Sequence, residues 1–120
     1  MDRYGLTKLM EECGELITAC AKKSAFLEGE HPDGKGDLLL RIYDEIADVI
    51  AASSWVSSKI TPSDLVETFK LYEEKRVLLK IALYTAWHEG RDDREILAKL
   101  KSIRAYTDAA VRAMAIARSK

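Results

Sequence analysis

The sequence predicts an all-α fold built like a four-helix bundle. Three observations carry that expectation. Apolar residues recur with the spacing of one helix face through most of the chain. The few glycines and prolines gather in short stretches that punctuate long helical segments. No alternation of apolar and polar residues lasts for the length of a strand.

The first helix is expected from about Arg3 to Leu27, because Leu6, Leu9, Met10, Cys13, Leu16, Ile17 and Cys20 form one stripe at three- and four-residue steps. Residues 28–36 hold three glycines and a proline and read as a loop. Asp37 is suited to cap a second helix running to about Ser58, with Leu39, Ile42, Ile46, Val49 and Ile50 as its apolar stripe. Thr61-Pro62-Ser63-Asp64 reads as the start of a third helix, with Thr61 as cap and Pro62 in the first turn. That helix is expected to end near Glu89, with Gly90 as a left-handed cap. Asp92 and Glu95 have the spacing of a capping box for a fourth helix, whose apolar face is Ile96, Leu100, Ile103, Tyr106, Ala110, Met114 and Ala117.

The segment from Val77 to Trp87 departs from this single-stripe pattern, being apolar nearly all the way round. Helices of that kind are covered on more than one side. A chain of 120 residues offers one modest core, so a second subunit is the expected cover, giving a homodimer or higher homo-oligomer.

Composition narrows the function. One domain spanning residues 1–120 is expected from the length. A net charge of −1 gives no electrostatic footprint for duplex nucleic acid. No apolar run is long enough to span a membrane, and Met1 to Lys8 lacks the apolar core of a secretion signal. Cys13 and Cys20 are two turns apart on one helix, too far for a disulfide, and read as core thiols of a cytoplasmic protein.

The chemistry lies in the acids. Glu12 and Glu15 are one turn apart on the first helix; Glu45 and Asp48 are one turn apart on the second. On antiparallel neighbours these pairs can converge. Packed carboxylates repel unless protons or cations neutralise them, and oxygen-only ligands suit Mg²⁺ or Mn²⁺. On spacing alone, ordinary solvated acids are the better reading. His31 and His88 have no ligand-spaced partner, which argues against a ferritin-like di-iron site. Trp55 and Trp87 suit a core or interface better than a base-stacking site.

Leu9-Met-Glu-Glu-Cys-Gly-Glu-Leu16, followed by Tyr43-Asp-Glu-Ile-Ala-Asp-Val-Ile50, resembles the signature of the MazG-like all-α nucleoside triphosphate pyrophosphohydrolases, ExxE on one helix and ExxD on the next. The resemblance covers residues 6–56 and fades beyond them. The connection between Glu15 and Glu45 is long for that family. The resemblance implies that Glu12, Glu15, Glu45 and Asp48 are metal ligands and catalytic carboxylates. It also implies Mg²⁺, with Mn²⁺ as substitute, and hydrolysis of a nucleoside triphosphate or related nucleotide to monophosphate and pyrophosphate. Lys22 or Lys23 corresponds to the basic residue that follows the first element in the family, and Lys75 and Arg76 to its basic third helix; all four become candidate phosphate contacts. Two other functions fit the same sequence: a helical interaction module that dimerises, and a nucleotide sensor that binds without turnover.

Overall fold

A computed structural model describes residues 2–26 and 33–119. Every regular element among them is helical: α1 (Leu6–Ala25), α2 (Leu38–Ile60), a 3₁₀ turn (Ser63–Leu65), α3 (Val66–His88) and α4 (Arg94–Ser119). The expected all-α class therefore holds. Among the described residues, no helix is long and apolar enough to cross a membrane. The chain divides into two compact units, Met1–Ile60 and Thr61–Lys120, each a pair of packed helices.

In the first unit, α1 packs on α2. Helix α1 starts later than expected, because Gly5 takes a left-handed φ of 76° and breaks the helical path. Asp2 then reaches back as the cap, its Oδ1 accepting from Leu6 N at 2.8 Å and its Oδ2 from Thr7 N at 2.7 Å. These N–H donors hold the Asp2 carboxyl below its ordinary range. Gly5 lies beneath the Trp55 ring, where a Cβ would collide with the indole. The start of α1 thus meets the later part of α2, so the two helices run antiparallel. Asp37 caps α2 as expected, its Oδ1 accepting from Leu40 N at 3.0 Å. The expected end of the first helix at Leu27, most of the following loop and His31 lie outside the described residues.

In the second unit, α3 packs on α4. Pro62 is extended (ψ 145°) rather than helical, so the third helix begins after a 3₁₀ turn and not at Thr61. Its end follows expectation. Gly90 has φ 67°, Arg91 N bonds Ala86 O at 2.8 Å and Gly90 N bonds Trp87 O at 3.2 Å, which is the Schellman pattern. The expected capping box does not form. Asp92 accepts from Arg94 N at 3.0 Å, while Glu95 pairs with Lys99 at 3.2 Å. Arg118 near the end of α4 grips Asp64, its Nε donating to Oδ2 at 2.7 Å, so α4 returns antiparallel to the start of the unit.

Each two-helix unit buries little. Ala19, Leu38, Ala52 and Val56 form the apolar core of the first; Leu65, Leu83, Ala86 and Leu100 form that of the second. The periodic stripes are only partly covered. Leu9, Cys13, Leu16, Ile42 and Val49 are half-buried, but Met10, Ile17, Leu39, Tyr43 and Ile50 are exposed. Cys20 is exposed as well, against the expectation of two core thiols, while both cysteines are free as expected. On α3 the all-round apolar run has two fates. Leu83 and Ala86 are fully buried, whereas Val77, Leu78, Ile81, Tyr84 and Trp87 are exposed, Leu78 at 69%.

Candidate functional site

The first helix pair brings three of the four expected carboxylates together. Glu12, Glu15 and Glu45 each offer an oxygen, and these atoms lie within 4.8 Å of one another. Antiparallel packing makes this possible: Glu12 and Glu15 are one turn apart on α1, and Glu45 meets them from α2. Asp48, one turn beyond Glu45, is exposed and stands outside the cluster.

Glu12 is the unusual member. It is only 7% exposed, a rare depth for a glutamate. One oxygen, Oε1, receives Lys8 Nζ at 3.0 Å from the preceding turn. The other, Oε2, is buried with no hydrogen-bond partner, and so is Oε2 of the half-buried Glu45. Buried carboxylate oxygens normally find donors, and leaving one bare costs free energy. The Glu12 charge, first of all, raises the Glu15 carboxyl above its ordinary value, with partial desolvation and the Glu45 carboxylate adding to it. These residues fit a hard divalent cation: acidic oxygens only, closely grouped, two of them lacking any donor.

A groove of about 450 Å³ opens beside the cluster, lined by Glu11, Glu15, Thr18, Arg41 and Glu45 among others. Glu11 is exposed and lies 3.6 Å from Lys8 Nζ. Thr18 Oγ1 donates to Gly14 O at 3.0 Å, within its own helix.

Compared with protein-family models, curated proteins and solved structures, the chain finds no match.

The expected phosphate contacts are scattered. Lys22 is half-buried and donates to Asp33 Oδ2 at 2.8 Å. Lys23 is half-buried on the same helix. Lys75 and Arg76 belong to α3 in the second unit. Lys75 borders a separate groove of about 440 Å³ with Tyr72, Tyr106 and Thr107, and Arg76 Nη1 donates to Tyr72 Oη at 3.5 Å. Sequence reasoning missed Lys8, Asp33 and Arg41. Lys8 and Arg41 each stand four residues before a cluster glutamate, a spacing that could have revealed them. Asp33 lies in the connection between helices, where no periodicity marks it. His88 is exposed at the end of α3. Trp87 is half-exposed and donates Nε1 to Asp93 Oδ2 at 2.8 Å.

Proposed function

We propose that the chain is a metal-dependent nucleotide pyrophosphohydrolase, with the groove beside Glu12, Glu15 and Glu45 as its active site. One observation carries this reading: three carboxylates from two helices converge, and two of their oxygens are buried without donors. A protein that keeps such oxygens bare gains from a cation that binds them. The three are also among the four residues that the MazG-like signature assigns.

Glu12, Glu15 and Glu45 would hold Mg²⁺ or Mn²⁺, and Asp48 would turn in from its exposed position to complete the set. When bound, the ion supplies neutralisation of the acidic site and polarisation of a phosphate oxygen. The remaining work falls to the chain. Water attacks phosphorus and the bridging P–O bond breaks, releasing pyrophosphate and leaving the monophosphate. Glu15, the exposed member of the three and part of the groove lining, is the one placed to take the water's proton. Lys22 and Lys23 bind phosphate from α1, and Lys75 and Arg76 on α3 are further candidates. The substrate class is nucleoside triphosphates or related nucleotides, handled in the cytoplasm.

The assembly is part of this reading. The apolar faces left bare on α1, α2 and α3 support a homo-oligomer in which a second copy covers them. The same faces also favour the alternative of a helical interaction module without catalysis.

The experiment is a pyrophosphate-release assay over a panel of nucleoside and deoxynucleoside triphosphates, with Mg²⁺, with Mn²⁺ and with chelator. Metal-dependent release that is lost in Glu12→Gln and Glu45→Gln supports the enzyme. Metal and nucleotide binding without release selects a sensor, and neither binding nor release leaves the interaction module.

A further inference from the structure

The carboxylate groove has a basic edge that its acids do not use. Arg41 stands four residues before Glu45 on α2 and lines the same groove as Glu15 and Glu45. That spacing lets arginine and glutamate pair directly on a helix. Among the described residues, Arg41 is paired elsewhere. Its Nη1 donates to Asp33 Oδ1 at 3.1 Å and its Nη2 to Asp33 Oδ2 at 3.2 Å, a two-point fork. The same carboxylate accepts Lys22 Nζ at 2.8 Å. The triad thus ties Asp33 to both α1 and α2, and all three side chains are partly buried.

Two consequences follow for the site. With Arg41 turned to Asp33, Glu45 Oε2 remains without a donor and open to a cation. Asp33 also sets one negative charge against two positive ones. Lys22 above all, with Lys35 N and Arg41, holds the Asp33 carboxyl far below its ordinary range, so it is ionised at neutral pH. Within the clamp itself, two cationic side chains face one carboxylate. A guanidinium has five N–H donors, and the fork engages Arg41 through two of its nitrogens.

We propose that Arg41, clamped by Asp33 with Lys22 on the same carboxylate, forms the anion-binding edge of the groove and takes phosphate oxygens of a cation-bound phosphoanhydride. Asp33 is the positioning residue that keeps Arg41 off Glu45. This rests on the reading of the carboxylates as a cation site. A phosphoanhydride carries charge on several phosphoryl groups, more than one cation covers, and a rigid arginine fork beside a lysine suits the remainder. Were Arg41 to fall onto Glu45, it would occupy the oxygen the cation needs and withdraw its own donors from the ligand.

The test uses the full chain, with Mn²⁺ binding measured by calorimetry, inorganic pyrophosphate binding measured in saturating Mn²⁺, and circular dichroism for each variant. Arg41→Ala should leave Mn²⁺ affinity unchanged and weaken pyrophosphate at least about tenfold, the loss of one charge-assisted hydrogen bond. Arg41→Lys should recover part of that loss. Asp33→Asn should weaken Mn²⁺ several-fold by freeing Arg41, and Asp33→Asn combined with Arg41→Ala should restore it. Unchanged pyrophosphate affinity in Arg41→Ala, or wild-type Mn²⁺ affinity in Asp33→Asn, overturns the proposal. A merely structural triad would instead lower helicity and both affinities together, with no recovery in the double variant. Wild-type protein that takes no Mn²⁺ overturns the cation reading and this inference together; wild-type Mn²⁺ binding with neutral variants overturns the inference alone.

Discussion

The two helix pairs bury their polar residues in opposite ways. In the second unit the buried polar residue is Thr107, and its hydroxyl donates to Ile103 O at 2.8 Å, one turn back on α4. In the first unit the buried polar residue is Glu12, with one oxygen on Lys8 and the other bare. A satisfied threonine makes an unremarkable helix interface. A carboxylate oxygen kept from both water and donors opposes folding, and a protein that retains one beside two more carboxylates has a use for it. The contrast separates a unit whose buried polar group is satisfied from one whose buried carboxylate is not, and it can be tested by substitution.

The largest effect is expected at Glu12. Glu12→Ala should abolish metal-dependent pyrophosphate release, while Thr107→Val in the second unit should leave turnover near wild type. Turnover retained in Glu12→Ala would erase the distinction. The apo protein should respond in the other direction. Glu12→Gln removes a buried charge, so thermal unfolding without metal should occur at an equal or higher temperature than in wild type.

Packing substitutions come next. Leu83 is 1% exposed, and Leu83→Ala should cost about 3 kcal/mol in denaturant unfolding. Gly5→Ala should cost about 2 kcal/mol through its left-handed backbone, with the Trp55 ring also forced aside. The outward residues of the α3 run behave differently. Leu78→Glu should leave helicity intact and lower the mass seen by light scattering; a monomeric wild type at micromolar concentration would refute assembly through α3. By sequence, any member of this all-round apolar run is a natural place for such a charge. The fold corrects this, since Leu83 is core and Leu79 half-buried, while Leu78 and Ile81 face outward.

The smallest effects are electrostatic, and individual carboxyls differ in sign. Arg118 holds the Asp64 carboxyl below its ordinary 3.8. A lowered acid contributes stability above the unfolded value and loses it as pH falls through the folded one. Wild type should therefore exceed Asp64→Asn slightly at neutral pH, with the gap closing below pH ~4. Glu15 is raised from 4.5, so without metal its folded form binds the proton more tightly than the unfolded chain does. That contribution is greatest in acid and is lost as pH rises through the raised value, a trend Glu15→Gln should remove. Asp33, lowered by Lys22 and Arg41, follows Asp64 rather than Glu15. An acid titration of each variant, read by circular dichroism, checks these signs.

Much of this was legible from local chemistry. Helix number, the Asp37 cap and the Gly90 turn followed from residues whose backbone preferences act within a few positions. The pairing of Glu12 and Glu15 with Glu45 followed from spacing and resemblance. Two kinds of information were not local. Which side of an apolar helix is covered depends on the partner it meets, so the stripes on α1 and α2 could not reveal that Met10, Ile17 and Tyr43 remain bare. The Asp33 clamp joins residues on three segments, and nothing near Asp33 in sequence marks it as the place where Lys22 and Arg41 meet. The exclusion of Asp48 from the cluster is likewise a matter of side-chain placement, which a one-turn spacing leaves open.

The central claim is that Glu12, Glu15 and Glu45 form a divalent-cation site. Thermal unfolding of the whole chain with increasing Mn²⁺ tests it most directly. At one hundred times its Kd a specific ion should stabilise the fold by about 2.7 kcal/mol, seen as a rise of several degrees in Tm. Glu45→Gln should lose that rise while keeping its helicity. A Tm indifferent to Mn²⁺ in wild type, or an equal rise in Glu45→Gln, would contradict the account.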